Sequence, residues 1–246
     1  MRFFFKSKST DQAQPFQGLQ TDLHSHLLPG IDDGSPTLEE SLHLIERLYN
    51  MGYRRIITTP HIYKEQYPNS TETVLQQLAL VREAIAGKFP GLSLDAAAEY
   101  FMDEHFQKLF DAGDLLTLPG NYVLFEMSFF APYPALHDLL FKLNLAGYKP
   151  ILAHPERYNY YARDWESLEK LRYFGCYFQV NLLSLTGYYG KPARQIAQKL
   201  LENEFVDFLG TDMHHRQHAD LLDKLLKDKD ITNKLQEKTR LNQNLG

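Results

Sequence analysis

The stretch TDLHSHLLPGIDDGSPTLEE, residues 21–40, decides how the chain reads. It opens as a short β-strand, and residues two apart on a strand point to the same face, so His24 and His26 arrive together at its C-terminal end. A loop carrying Asp32 and Asp33 follows. It runs into a helix-entry signal in which Ser35 or Thr37 can cap the first orphan N–H groups, while Glu39 and Glu40 sit at the positive end of the helix dipole. The unit is one strand, one ligand-rich loop and one helix.

Working outward, the same unit recurs. Strands are expected over residues 19–26, 53–61, 92–99, 121–128, 148–154, 176–183 and 205–212, and helices over 37–51, 71–86, 134–146, 164–174 and 192–204. Gly52, Gly147 and Gly175 suit helix exits, and Pro134 and Pro192 suit first helical turns. Alternation of strand and helix implies a parallel sheet, and about seven or eight such units in about 250 residues favour a closed (β/α) barrel over an open doubly wound sheet. No G-x-G-x-x-G follows the first strand, which argues against a dinucleotide site. The units share a period near 30 residues without sequence similarity.

Nine side chains able to bind metal stand at or just past the ends of these strands: His24, His26, one of the two loop aspartates, His61 in TTPH, Glu99, Glu126, His154 in LAHPE, and Asp212 with His214 in GTDMH. Spacing alone does not choose between Asp32 and Asp33; the other would cap the helix that follows. Imidazole and carboxylate together suit Zn, Mn or Fe, and no single four- to six-coordinate ion uses nine such groups, so more than one metal is expected. A lone His-x-His reads as a polar strand pair, but the other strand ends outweigh that reading. Glu99 and Glu126 end apolar strands, where an unpaired carboxylate costs of order several kcal/mol unless a cation or an ion pair offsets it. Asp22 shares the face of His24 and is a candidate to orient an imidazole. His43, His105 and His137 read as surface or packing residues, and His215 and His218 as exposed neighbours of the last pair.

Arg157, three residues after His154, is placed to grip a phosphate bidentately and to stabilise developing charge; the bland alternative is a surface pair with Glu156. Arg216 is a weaker candidate for the same task. Thiolate phosphatase chemistry needs Cys-x5-Arg, but Leu182 stands six residues after Cys176, and no GxxxxGK[ST] loop is present.

The bulk properties are those of an ordinary globular chain, with 246 residues, 43% hydrophobic and 23% charged. A net charge of -5 argues against a nucleic-acid partner. Cys176 is the only cysteine, so no intramolecular disulfide is expected and the cytoplasm is the default location. Residues 1–18, beginning MRFFFKSKST, read as a leader too short in apolar residues for a signal peptide, and no stretch approaches a spanning helix, so stable membrane insertion is not expected. The domain is expected over 19–246.

Taken together, DLHSHLLPGIDDGS, TPH, a strand-end glutamate, LFE, AHPER and TDMH, in that order from about Leu19 to His214, resemble the PHP (polymerase and histidinol phosphatase) superfamily, and within it the bacterial capsular-polysaccharide tyrosine-phosphatase branch. The resemblance implies a distorted (β/α)7 TIM-like barrel and a trinuclear, manganese-dependent centre. It selects Asp33 over Asp32. It groups His24, His26, Glu99 and Asp212 around one ion, Glu99, Glu126 and His154 around a second, and Asp33, His61 and His214 around the third, with Arg157 binding phosphate. The implied substrate is phosphotyrosine on a tyrosine autokinase of capsule or exopolysaccharide synthesis, attacked in line by metal-activated hydroxide with no covalent enzyme intermediate. Tyr63, Tyr67, Phe129, Phe130, Tyr158 and Tyr160 are candidates to flank the phosphotyrosine ring. The leader, TDMHH in place of SDAH, and a second arginine represented only by Arg216 depart from the pattern; a homo-oligomer is an open expectation. The rival readings are a small-molecule phosphatase of the histidinol-phosphate type, a metal-dependent amidohydrolase, disfavoured by Glu126 where that class places a lysine, and a non-enzymatic binding module.

Overall fold

Among the described residues every pair of named strands is parallel. The computed structural model describes residues 19–236, 240–243 and 245, so the expected leader lies outside the described residues. The order is β1 (Thr21–Asp22), α1 (Leu38–Met51), β2 (Arg55–Thr58), β3 (His61–Ile62), α2 (Thr71–Ile85), β4 (Ser93–Ala96), β5 (Glu99–Phe101), α3 (Glu104–Ala112), β6 (Tyr122–Glu126), α4 (Leu136–Leu145), β7 (Lys149–Ala153), α5 (Trp165–Tyr173), β8 (Tyr177–Asn181), α6 (Lys191–Glu202), β9 (Phe208–Gly210), α7 (Arg216–Leu226), α8 (Lys229–Gln236) and α9 (Arg240–Gln243). The strands form a three-stranded sheet, β1-β2-β4, and a six-stranded sheet, β3-β5-β6-β7-β8-β9.

Local chemistry accounts for most boundaries. Thr37, not Ser35, caps α1 by accepting from the Glu40 N–H, and Gly52 closes it in the left-handed region at φ 109°. Pro192 stands in the first turn of α6 as expected. Pro134 does not play that part, because α4 starts only at Leu136, after Ala135. The expected strands 53–61 and 92–99 are each divided. Pro60 has no N–H to give to the ladder, so a rung is missing where β2 gives way to β3 and β4 to β5. Helix α3 is not among the expected helices; it buries one side chain, Phe106, whereas α5, of the same length, buries two, Leu168 and Leu171.

The parallel sense sets the placement of the chemistry. Leu124 and Glu126 in β6 share a face, as do Gln179 and Asn181 in β8. Deeper along that face an apolar cluster of Ile57, Ala97, Leu124, Ile151, Ala153 and Phe208 is buried, and polar groups replace it at the C-terminal ends. The helices pack on a larger apolar cluster that includes Leu44, Val74, Leu140, Leu171 and Leu200.

Between β1 and β9 the ladder is made mostly by side chains. Past the strand ends the backbones pair directly, with Asp212 N donating to His24 O at 2.8 Å and His26 N to Met213 O at 2.9 Å. Next along, the Asp22 carboxylate accepts from Thr211 N (3.0 Å) and Thr211 Oγ1 (3.1 Å). This is its task in place of the expected imidazole contact. At the opposite end Asn242, from α9, accepts from Leu209 N (3.0 Å) and donates to Leu209 O (2.7 Å) and Thr21 O (3.2 Å). Replacing Asn242 by alanine leaves these buried backbone groups unpaired and is expected to cost about 2–4 kcal/mol. The readout is a lowered urea midpoint at unchanged slope, and a loss below about 0.5 kcal/mol would mean that the seam does not depend on this side chain.

Candidate metal centre

Two glycines let the first strand reach the centre. A Cβ on Gly34 would lie 2.2 Å from His26 O, and one on Gly210 would lie 2.6 Å from Gln179 Nε2 and 2.7 Å from His24 Cβ. Only glycine permits such approach. His154 (φ 35°) and Asp212 (φ 49°) occupy the left-handed region without being glycine, a strained conformation that clusters at functional sites. Each turns the chain where its strand ends.

The nine expected side chains converge. His24 Nε2 lies 3.1 Å from Glu99 Oε2, 3.4 Å from Asp212 Oδ1 and 3.4 Å from His26 Nε2. His61 Nδ1 lies 3.2 Å from Glu126 Oε1, and its Nε2 lies 3.5 Å from Asp33 Oδ1, to which His214 Nε2 is equally close. His154 Nε2 lies 3.1 Å from Glu99 Oε1. Glu99, 1% exposed, stands at the middle, with three imidazoles within 3.3 Å of Oε2 and a fourth on Oε1.

Hydrogen bonds around the cluster dictate its protonation. Ionised Asp212 can only accept, so Asn181 presents its Nδ2 to Asp212 Oδ2 at 2.6 Å. Asn181 Oδ1 then faces Gln179 Nε2 at 2.9 Å, and Gln179 Oε1 faces His24 Nδ1 at 2.7 Å. His24 therefore carries its proton on Nδ1 and turns the Nε2 lone pair inward. His26 and His214 are fixed the same way by Asp32 Oδ2 (2.8 Å) and Asp212 O (2.9 Å) on their Nδ1 atoms. Lone pairs thus face lone pairs and carboxylate oxygens, and among the described residues the buried His61 Nδ1, although near Glu126, makes no aligned hydrogen bond. Cations satisfy such a set, and its nitrogen and oxygen donors suit divalent transition metals. Among the described residues four groups have candidate ligand atoms within 4.8 Å of one another: His26, Asp33, His61 and His214; His24, Glu99 and His154; His24, His26 and Asp212; and His61, Glu99 and Glu126.

Without a metal, protons take up part of that role. Burial opposes charging His24, but Glu99 and Asp212 outweigh it and push its pKa up to about 10. Glu99 is buried, which would raise its pKa, yet His24 and His61 hold it well below the usual carboxylate range. Asp212 is held down in the same way by His214, His24 and Arg157.

Arg157 sits at the edge of this cluster. Its Nη1 donates to Asp212 Oδ2 at 3.2 Å, and its guanidinium lies between the rings of Tyr189 (4.4 Å) and Phe129 (4.9 Å). The surface pair with Glu156 does not form. Glu156 is buried and accepts from Asn181 N (2.9 Å) and Ser184 Oγ (2.6 Å), which ties down the turn that carries Arg157. Arg157 opens onto a cavity of about 780 Å³ that also exposes Asp33, His61, Glu126, His154 and His214.

Several expectations need correction. Arg216 does not line this cavity; its guanidinium is held by both oxygens of Glu40, because α7 starts beside α1. Asp32 does not cap α1 but accepts from Gly34 N, His61 N and His26 Nδ1. His218 is buried rather than exposed, and contacts Asp212 O through Nδ1 (3.0 Å); burial and the neighbouring His215 and His214 lower its pKa to about 4. Tyr158 is buried away from the cavity, whereas Tyr63, Tyr67, Phe129 and Phe130 line it. Gln179, Asn181, Tyr189 and His218 were missed as site residues. For Gln179 and Asn181 a signal existed: two amides at i and i+2 in an otherwise apolar strand.

The family model described as capsular polysaccharide synthesis, CpsB/CapC, matches residues 20–240. The tyrosine-protein phosphatase CpsB of Streptococcus agalactiae serotype V is 31% identical over 201 residues, 79% of this chain and 82% of that protein. The tyrosine-protein phosphatase YwqE of Bacillus subtilis (strain 168) is 29% identical over 201 residues, 79% of this chain and 77% of that protein. Among solved structures, one from work on YwqE of Bacillus subtilis and CpsB of Streptococcus pneumoniae, described as unique metal-dependent tyrosine phosphatases, matches with a TM-score of 0.81 at 25% identity, covering 92% of this chain and 93% of that one.

Two outcomes are expected. Replacing Gln179 by leucine removes the acceptor that sets the His24 tautomer and should weaken divalent-metal binding about 10- to 100-fold by calorimetric titration. The pH dependence follows from His24. Its folded pKa, about 10, lies above the ordinary 6.5, so the stability from its charge is full below 6.5 and is lost as pH rises through about 10. The thermal midpoint of chelator-treated protein should fall across that window, and bound divalent metal should flatten the slope; a midpoint independent of pH in the chelated protein would contradict the assignment.

Proposed function

Because the chain belongs to the capsular-polysaccharide-synthesis CpsB/CapC family, we propose that it is a metal-dependent protein-tyrosine phosphatase, acting on phosphotyrosine of a tyrosine autokinase that controls capsule or exopolysaccharide synthesis. The observation that carries the reading is Arg157, a cation held between two rings at the edge of nine convergent metal-binding side chains, above an open cavity.

The metal complement in this reading is three divalent ions, manganese first, with iron or zinc as alternatives. His24, His26, Glu99 and Asp212 hold one, Glu99, Glu126 and His154 the second, and Asp33, His61 and His214 the third. Close approaches among Asp33, His61 and His214 and among His24, His26 and Asp212 support two of these sets, whereas Glu126 lies nearer His61 Nδ1 (3.2 Å) than His154 Nε2 (4.0 Å), so His61 stands between the second and third sets. Such ions, when bound, lower the pKa of water and neutralise phosphoryl oxygens.

The chain's own residues position the reaction. Among the described residues only Nη1 of Arg157 is engaged by a carboxylate, leaving guanidinium donors for the phosphoryl oxygens. Tyr189 donates to Asp212 Oδ2 at 3.2 Å while its ring supports Arg157, so one side chain sets both groups. Tyrosinate is a good leaving group, and no dedicated general acid is assigned. Cys176 is buried, and burial pushes its thiol pKa up, away from nucleophilic use.

The fold belongs to the same reading. The seven strand segments are taken to close as a distorted (β/α)7 barrel spanning 19–246, supported by the Ser25–Met213 bridge and the seam made by Asp22 and Asn242. The location is taken as cytoplasmic; among the described residues no helix is long and apolar enough to cross a membrane. A protein substrate is favoured over a small metabolite because Phe129, at the mouth of the cavity, is 45% exposed, so the walls do not close over a small molecule.

Metal-loaded protein should release phosphate from a phosphotyrosine peptide, lose that activity on chelation and regain it with Mn²⁺, while phosphoserine peptide and histidinol phosphate are poor substrates. Arg157→Ala should lower kcat/KM by about 10²- to 10³-fold. A preference for histidinol phosphate would instead make this a small-molecule phosphatase.

A further inference from the structure

The mouth of the cavity carries an apolar side chain that packing does not explain. Phe130 is 96% exposed, although phenylalanine is among the residues most often buried, and it lines the same cavity as Arg157. Its presentation is built. Met127 N donates to Tyr158 Oη at 3.0 Å, Tyr160 Oη donates to Ser128 O at 3.2 Å, and Phe130 N donates to Ser128 Oγ at 3.2 Å. Tyr158 is fully buried, so the first of these anchors fastens the loop to the core. Consecutive residues then divide in direction: Phe129 lies against the Arg157 guanidinium and the His154 ring, while Phe130 stands out into solvent at the rim.

We propose that Phe130 is the docking residue for the polypeptide that flanks the phosphotyrosine, its ring receiving an apolar side chain next to the modified residue. The inference rests on the phosphatase reading and specifies which part of the substrate the rim recognises. A phenyl ring has no donor or acceptor to offer, so it selects by burial of apolar surface. A small aryl phosphate engages Arg157 and the cluster below, whereas a chain that continues outward from the cavity passes the rim. An anchored loop also loses little conformational freedom when it binds, which lets the contact count toward affinity.

The test compares wild type, Phe130→Ala and Phe130→Leu, all manganese-loaded, on para-nitrophenyl phosphate and on two phosphotyrosine peptides that differ only in leucine or glycine beside the phosphotyrosine. Phe130→Ala should raise KM for the leucine peptide about tenfold, as expected for roughly half-burying a phenyl ring, with kcat retained. Phe130→Leu should recover most of that loss. The glycine peptide and para-nitrophenyl phosphate should change less than about twofold. Equal losses on every substrate would assign the loop a structural role and overturn the proposal, as would an unchanged KM for the leucine peptide. A lower molar mass for Phe130→Ala than for wild type by light scattering would assign the ring to self-association and overturn it too. Wild type inert on all three substrates would overturn the phosphatase reading itself, a result read before any variant is compared.

Discussion

The carboxylate of Asp212 can accept hydrogen bonds but not donate them, and the orientation of a large part of the site follows from that. Asn181 must turn its amide nitrogen toward Asp212, Gln179 must turn its nitrogen toward Asn181, and His24 is left with an oxygen at Nδ1 and its Nε2 directed into the cluster. The relay runs through buried side chains, where an unmet donor or acceptor costs about 1–3 kcal/mol, so reversing any one amide is penalised at both ends. A unique orientation of ligand atoms results before any cation arrives. That is the preorganisation that lets metal affinity reside in the folded chain.

The same carboxylate joins the ligand cluster to the substrate side. Asp212 Oδ1 faces His24, His26 and His214, while Oδ2 accepts from Asn181, Arg157 and Tyr189. One oxygen belongs to the cluster of candidate metal ligands and the other to the groups that hold the Arg157 guanidinium. Its backbone is held in the left-handed region, with His214 and His218 both on its carbonyl oxygen. Strain of that kind costs of order 1–3 kcal/mol and persists only where the surroundings over-determine it. Here the seam between β1 and β9 does so, because Thr211, the preceding residue, is bound to Asp22 through both its N–H and its hydroxyl.

Much of this was legible in the sequence, and the reasons differ by residue. The convergence of nine histidine and acidic side chains was readable because a parallel βα pattern sends strand C-termini to one side, and these residues stand at those ends. Arg157 was readable from HPER, but its true partner was not: Glu156 is adjacent in sequence, and only the fold shows that it faces Ser184 and Asn181 while Arg157 faces Asp212. Arg216 shows the opposite case. It lies two residues past His214, yet the start of α7 beside α1 commits its guanidinium to Glu40.

By itself the sequence determined what depends on local order: strand and helix alternation, the place where α1 starts, the i and i+2 pairs that share a face, and the chemical type of the centre. Tertiary structure alone decided what depends on distant meetings, such as Gln179 against His24, Tyr189 against Asp212 and Arg157, and Asn242 across β1 and β9. The physical reason is direction and distance. A residue's periodicity states which face of its own element it occupies, but a hydrogen bond is decided within about 3 Å and within a narrow angle, and that precision exists only once the elements are packed.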